Sequence, residues 1–379
     1  MSPPARPVIA LVSDSIFPYH RGGKELRYHE LAQRLARHAD VHVYTMRWWG
    51  TGERRDGAVT YRAVCPSVGL YEGDRRSTRQ AVVFALGCLR LARRRFDVVE
   101  ADHMPYLQLF PLRAITALRR RRLVVTWHEV WGPEYWRTYM GRRGRLAWWI
   151  ERAAMRLPDE IIAASEETGR RLRWHLGPRA RITVAPNGID LGAVRAARPS
   201  GAPVDVVVVG RLLGHKRIDM LLDAVGLLHA RGRDVTCRVI GSGPQGAELA
   251  EQAERLGIGH AVEFRPDVDG QRDLYSLVKS ARVFAFPSER EGFGIAVLEA
   301  LACGLPVVTT SAPDNLATAL VERSGRGLVC APRADALADA IERVLPGGDR
   351  APGAAEDDGW LAEYDWDAVS DSVLGAVLP

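Results

Sequence analysis

Short apolar runs alternate along this chain with longer stretches whose apolar residues recur at helical spacing. Such runs, bounded by turn formers and separated by amphipathic helices, are the pattern of parallel sheets with crossover helices. In the first half the pattern predicts strands near Val8–Val12, Val41–Tyr44, Val98–Glu100, Leu123–Thr126, Ile161–Ala164 and Ile182–Ala185, with helices such as Lys24–His38, Thr78–Arg94 and Arg145–Arg156 between them. The Pro-, Gly- and Ala-rich stretch Ala196–Pro203 interrupts the alternation. A second series then predicts strands at Val206–Val209, Cys237–Ile240, Val262–Phe264, Val283–Phe286 and Val307–Thr309, and helices at Ile218–Leu228 and Ile295–Ala302. Pro346–Gly359 reads as a loop and Trp360–Leu378 as helix again. The fold class is therefore α/β, with two doubly wound, Rossmann-like domains. Ligands of such sheets sit beyond the carboxyl ends of the strands, which is where chemistry is sought.

After Val283–Phe286 comes Pro287-Ser288-Glu289-Arg290-Glu291-Gly292-Phe293-Gly294, and a helix opens near Gly294 and is stopped by Gly304 and Pro306. That helix is apolar nearly all round, so it is buried, and Glu299 is its only charge. A buried carboxylate needs a hydrogen-bond partner. At about 1.5 Å per residue Glu299 lies ~7 Å along the axis from the helix start, and Glu291 lies just before that start. The backbone N–H groups of Gly292, Phe293 and Gly294 fall between them, at a positive helix end suited to phosphate. Two acceptors flanking an anion site suit a ligand with hydroxyls on both sides of a phosphate bridge, as in a sugar nucleotide.

Here the chain resembles glycosyltransferase family four, the retaining enzymes of GT-B architecture. Members carry two glutamates with seven residues between them in an EGFG…EA…GxPVV context, matched by Glu291-Gly292-Phe293-Gly294, Glu299-Ala300 and Gly304-Leu305-Pro306-Val307-Val308. The resemblance implies two Rossmann-like domains facing each other across a cleft. Residues 1–190, with a C-terminal helix 360–379 crossing back, would form the acceptor domain, and residues 191–359 the donor domain. It implies that Glu291 contacts hydroxyls of the donor sugar and Glu299 those of the ribose. The expected activity is hexosyl transfer, with retention, from a nucleoside-diphosphate sugar to a hydroxyl of a small molecule, glycan or lipid-linked acceptor. That sugar nucleotide is a co-substrate, and neither a cofactor nor a metal is expected.

Further strand ends carry further candidates. Val206–Val209 leads into Gly210-Arg211-Leu212-Leu213-Gly214-His215-Lys216-Arg217, which puts Lys216 and Arg217 at a helix N-terminus, where a cation is disfavoured unless an anion binds there. In the resembling family the matching Arg and Lys hold the donor pyrophosphate, the role implied for Arg211 and Lys216. After Val8–Val12 the pair Gly22-Gly23 opens a helix, and paired glycines let a ligand approach the backbone closely. The family's Gly-Gly faces the diphosphate. Strand Leu123–Thr126 ends in Trp127-His128-Glu129, and by resemblance His128 touches the donor sugar near the reacting carbon. Ala185-Pro186-Asn187-Gly188-Ile189-Asp190 matches a sequence at the family's domain junction. Aromatic residues of the first half, Trp48, Trp49, Tyr71 and Trp131 to Tyr139, are candidates for acceptor contacts.

Two other patterns invite different readings. Gly241-Ser242-Gly243-Pro244-Gln245-Gly246 spells a dinucleotide fingerprint, but Pro244 stiffens the loop and this is not the first βαβ unit of its domain, so it reads as a phosphate-side or structural loop. Asp267-Val268-Asp269 spells a metal-binding DxD in what reads as an exposed loop. A sugar-nucleotide epimerase, an NAD-dependent oxidoreductase and an inactive sugar-nucleotide-binding protein are the alternatives to transfer.

Composition narrows the class. The 379 residues, 47% apolar and 26% charged, suit a globular chain of two domains. No apolar run approaches the ~18 residues of a membrane span, and Val8–Val12 is shorter than a secretory core, so a cytoplasmic location is expected. Five scattered cysteines without CxxC spacing read as reduced core residues. The net charge of +6 comes almost wholly from arginine, which makes Lys24, Lys216 and Lys279 worth attention. The runs Arg93–Arg95 and Arg119–Arg122 at helix ends read either as solvated caps or as a surface meeting anionic lipid or a charged acceptor. The former leaves the chain free; the latter puts it at the inner face of a membrane. No nucleic-acid partner is expected, because the Trp pairs do not interleave with the basic runs.

Overall fold

A computed structural model describes residues 6–20, 22–72, 75–346 and 358–378. They form two compact units, Met1–Gly188 with Trp366–Pro379, and Ile189–Asp365.

The first unit is built on a sheet of eight strands: β1 (Val8–Val12), β2 (Asp40–Arg47), β3 (Arg54–Asp56), β4 (Val59–Pro66), β5 (Val98–Asp102), β6 (Arg122–Trp127), β7 (Glu160–Ala163) and β8 (Ile182–Val184). Their order is β8-β7-β6-β5-β1-β2-β4-β3, parallel throughout except for the β3–β4 edge hairpin. That hairpin was missed by the sequence reading, because arginines interrupt its apolar alternation. Strand side chains alternate between faces. Ile9 and Leu11 therefore join Tyr28, Leu31 and Leu35 of the helix Gly23–Leu35, whereas Ala10 and Val12 join Phe84, Leu109 and Leu112 on the other side. The C-terminal helix Trp366–Val377 packs on the first of these faces, where Trp366, Val369 and Val373 are buried and Asp367 accepts from Arg34 Nε at 2.7 Å.

The second unit has a six-stranded parallel sheet: β9 (Val204–Val209), β10 (Cys237–Ile240), β11 (Val262–Arg265), β12 (Ala281–Phe286), β13 (Val307–Thr310) and β14 (Gly327–Cys330). Its order, β11-β10-β9-β12-β13-β14, runs outward in both directions from β9 and β12. The Val-rich β9 is buried on both faces, with Val206 and Val208 against Ile218, Leu221 and Ile341, and Val207 against Val297, Leu298 and Leu301. The α/β class with two parallel sheets is thus what the alternation of the sequence predicted.

Details differ from the pattern. The predicted helix over 360–378 is two pieces, a 3-10 segment Asp358–Tyr364 and the helix Trp366–Val377, because Tyr364 and Asp365 are turned to meet Ile189 and Leu191 (Ile189 N to Tyr364 O, 2.8 Å; Leu191 N to Asp365 Oδ2, 3.3 Å). Most of the loop expected at Pro346–Gly359, residues 347–357, lies outside the described residues. Ala196–Pro203 falls inside the second unit. All five cysteines are free thiols, but only Cys65, Cys88 and Cys237 are buried, with Cys303 and Cys330 half-buried. Among the described residues no helix is long and apolar enough to cross a membrane.

Candidate functional site

Where strand order reverses, neighbouring crossovers leave on opposite faces and a crevice opens at the strand ends. In the second unit that point lies between β9 and β12. The loop after β9 carries Arg211 and Lys216, and the loop after β12 carries Glu289, Glu291 and Gly292 to Gly294. The two loops are tied together. Glu289 N donates to His215 O at 2.8 Å, Lys216 Nζ is hydrogen-bonded to Glu291 Oε2, and the ammonium lies 5.1 Å from the centre of the Phe286 ring. Burial would raise the Glu291 carboxyl, but Lys216 outweighs it and, with a hydrogen bond from the Gly294 N–H, holds the group below its ordinary range. Glu291 therefore stays ionised. Arg211 is exposed in the same loop, five residues before Lys216.

The helix Ile295–Ala302 begins where expected, its N-cap Gly294 at φ +92°, a left-handed conformation that favours glycine. A Cβ there would also lie 2.5 Å from Ala317 Cβ. One turn into the helix Glu299 is 7% exposed, yet it is not the isolated carboxylate the sequence left open. Gln271 Nε2 donates to Oε1 at 2.6 Å and Tyr275 Oη at 3.1 Å, both from the helix Gln271–Val278. Neither bond engages Oε2. Burial pushes the carboxyl up to about 7, against the opposing pull of Tyr275 and Gln271.

One expectation at this site needs correction. The cation conflict at Lys216 and Arg217 is already relieved by protein carboxylates, since Arg217 pairs with Asp219 (3.2 Å) and Glu289 (2.5 Å) and Lys216 with Glu291. The Gly294 N–H helps to hold the Glu291 carboxyl ionised. Phe293 is buried and packs 5.8 Å from the Tyr364 ring, so only its backbone can face a ligand.

The loop with the dinucleotide-like glycines has a packing reason for them. A Cβ on Gly241 would strike the Gly210 carbonyl, and one on Gly243 would lie 2.7 Å from Leu212 N. Leu212 N donates to Ser242 O at 3.1 Å. These glycines let the loop lie flat against the one that carries Arg211. Asp267 and Asp269 are exposed, and among the described residues no group of three or more His, Cys, Asp or Glu side chains could hold a metal ion. Lys279 is structural, its Nζ donating to Val194 O (2.5 Å) and Ala197 O (3.0 Å) at the end of the helix Leu191–Ala196, where a cation is favourable.

The first unit reverses between β1 and β5, and a charged cluster missed by the sequence reading lies there. Lys24 bridges two fully buried carboxylates, Asp14 at 2.5 Å and Asp102 at 2.8 Å. Asp14 also accepts from Arg76 (2.8 Å) and Gln80 (3.1 Å). Burial alone would raise both acids and lower the amine, but their mutual attraction dominates, so both carboxyls sit below and Lys24 above their ordinary values. The scarcity of lysine was the one sequence signal that pointed here.

His128 follows β6, beside β5. Burial pushes it down to about 3 despite Asp102, so the imidazole is neutral. Its Nε2 is buried without a hydrogen-bond partner and lies 3.8 Å from Asp102 Oδ1, beyond bonding distance. His103 takes that carboxylate instead, Nδ1 to Oδ1 at 3.1 Å. Gly22 caps the helix Gly23–Leu35 in an extended conformation, and a Cβ there would meet the end of the Glu25 side chain. The sequence candidates thus gather into two groups, Arg211, Lys216, Glu291 to Gly294 and Glu299 in the second unit, and Gly22, Gly23 and His128 in the first.

Comparison with known proteins places this architecture. The chain is 29% identical over 288 residues to glycogen synthase of Mycobacterium tuberculosis, spanning 74% of this chain and 68% of that protein. It is 32% identical over 238 residues to the D-inositol 3-phosphate glycosyltransferase of Actinosynnema mirum, spanning 58% of this chain and 57% of the relative, little more than half its length. The crystal structure of Anabaena HepE in complex with UDP-glucose superposes with a TM-score of 0.71 at 21% identity, covering 97% of this chain and 98% of that one, which shows a common GT-B fold. Two family profiles match in tandem, "Glycosyltransferase Family 4" over residues 21–193 and "Glycosyl transferases group 1" over residues 195–352. Since they meet near the boundary between the units and together account for both sheets, the chain belongs to glycosyltransferase family four.

Proposed function

We propose that this glycosyltransferase moves a hexosyl group, with retention, from a nucleoside-diphosphate sugar to a hydroxyl of a small-molecule, glycan or lipid-linked acceptor. The observation that carries the reading is the placing of an ionised Glu291, bound to Lys216, and a buried Glu299 on either side of a helix start at the second unit's switch point. Glu291 takes sugar hydroxyls and Glu299, through Oε2, a ribose hydroxyl. Arg211, Lys216 and the backbone of Gly292, Phe293 and Gly294 take the diphosphate. A carboxylate beside Lys216 keeps that ammonium oriented before the donor arrives. UDP-glucose bound to HepE, a chain of the same fold, supports a donor of this class.

The costly event is departure of the diphosphate from an oxocarbenium-like carbon. Fixed positive groups aimed at the leaving oxygens lower that barrier without reorganising at the moment of reaction. Arg211 and Lys216 supply the charge that a metal supplies in other transferases. His128, neutral and with an unsatisfied Nε2, is suited to hydrogen-bond a sugar hydroxyl and unsuited to be a general base near neutrality. The leaving phosphate takes the acceptor proton, and the acceptor attacks on the face it leaves.

A thermal-shift panel of UDP-, GDP-, ADP- and dTDP-sugars tests the donor class, because a ligand that binds only the folded state raises the melting point. One nucleotide should stand out, and NMR of the transfer product should show the donor's anomeric configuration. An inverted product would refute the mechanism, and no response to any nucleotide the donor site.

A further inference from the structure

Two neighbouring helices of the first unit turn apolar side chains to solvent. The helix Thr78–Cys88, prolonged by the 3-10 turn Leu89–Arg93, buries Ala81, Phe84, Cys88 and Leu91. On its opposite face Val82, Leu86 and Leu89 recur at i, i+4 and i+7 and are 43%, 62% and 49% exposed. The helix Leu109–Leu118, packed beside it, buries Leu109, Leu112 and Ile115 and exposes Phe110 (38%) and Leu118 (87%). Scattered exposed leucines need no explanation, but paired stripes on adjacent helices do.

Charge on this face has one sign. Arg90 and Arg93 to Arg95 close the first helix, and Arg119 to Arg121 the second. Both clusters lie at the same end, because Arg119 donates to the carbonyls of Ala92 (2.5 Å) and Arg94 and its guanidinium lies 5.4 Å from the Phe96 ring. No Asp or Glu occurs from Arg75 to Phe96 or from His103 to His128. Nearby acids are already paired, Asp97 with Arg121 (3.1 Å) and Asp159 with Arg113 (2.7 Å). Cations at helix ends would complement the dipole by themselves. That does not account for the exposed leucines or for the lack of acids, which ordinary solvated faces carry.

We propose that this two-helix face seats the chain on an anionic lipid surface. The aliphatic stripes enter the boundary between headgroups and acyl chains, and the arginine collar holds lipid phosphates. A single strand of nucleic acid would call for stacking rings, whereas the exposed members here are mostly aliphatic. A second copy would bring two cationic collars together. The inference goes beyond sugar transfer and does not depend on the donor assignment.

Flotation of the full chain with vesicles of phosphatidylcholine, alone or mixed with phosphatidylglycerol, tests it. Binding is expected to the mixed vesicles and to weaken with salt. Arg94→Glu and Arg120→Glu should each weaken it about fivefold or more, from about 1 kcal/mol per surface arginine. Leu86→Asp with Leu118→Asp should abolish it. Arg255→Glu, an exposed arginine of the second unit, should leave it intact. All these side chains are exposed, so melting points and donor hydrolysis should not change. The proposal fails if mixed vesicles do not retain the protein, if Leu86→Asp/Leu118→Asp binds as well as the parent, if Arg255→Glu loses as much as Arg94→Glu, or if the leucine variant abolishes self-association and not vesicle binding.

Discussion

Replacing Glu299 by glutamine should stabilise the free protein and weaken its hold on the donor. The carboxyl is 7% exposed and keeps its proton to about pH 7 where an unfolded chain releases it near 4.5. Between those values the native state holds a proton that the unfolded state has lost, so stability falls as pH rises through this window and levels off above it. At about 1.4 kcal/mol per tenfold in proton affinity, ionising Glu299 costs the fold about 3 kcal/mol. Glutamine keeps an oxygen for Gln271 and Tyr275 and carries no charge to desolvate. Its advantage should therefore be small at about pH 5 and reach about 3 kcal/mol by about pH 8.5, or roughly 6–12 °C in the melting point of a domain this size. Circular-dichroism melts of both proteins without ligand at the two pH values measure it. Titration calorimetry with the nucleoside diphosphate chosen by the thermal-shift panel should show the opposite sign, a loss of about ten- to hundredfold for one charged hydrogen bond. A variant less stable than the parent at high pH, or a gap that does not move with pH, would refute the account of this buried acid.

Lys216→Met should leave the half-buried Glu291 without its partner and lower kcat by about a hundredfold or more, since it removes charge from the leaving diphosphate; steady-state kinetics would show whether KM moves instead. Lys24→Met strands two buried carboxylates and should cost about 3–5 kcal/mol at neutral pH. Wild-type Asp14 and Asp102 have lowered pKa values, so their contribution is present above the ordinary carboxylate range and lost as pH falls below it; denaturant titrations should therefore show the gap between the two proteins narrowing in acid. Gly243→Ala pushes a Cβ against the backbone of Leu212 and should cost about 1–3 kcal/mol while loosening the Arg211 loop, readable as faster hydrogen exchange at residues 210–213. The pH dependence of kcat should show no inflection from His128 above about pH 5, and one that His128→Asn removes would overturn its assignment as a neutral hydrogen-bonding group.

The sequence by itself determined the central strands, because a run such as Val206–Val209 is stable only when covered on both faces, whereas the strands at the sheet edges, Arg54–Asp56, Val59–Pro66 and Gly327–Cys330, escaped it. It also determined that Glu291 and Glu299 bracket one helix start, because a strand, two glycines and an apolar helix stopped by Gly304 and Pro306 permit little else. Those are local facts, fixed by period, propensity and turn chemistry. What surrounds each charge was decided by the tertiary structure. Glu299 finds Gln271 and Tyr275 on a helix 24 or more residues earlier. Lys24 finds Asp102 from β5, and Lys216 finds Glu291 from β12. Such partners meet only because strand order places β1 beside β5 and β9 beside β12, and strand order is set by long-range packing. The same packing turned Phe293 inward, gave Gly241 and Gly243 a neighbouring loop to lie against, and relieved the cations at Lys216 and Arg217 with protein carboxylates.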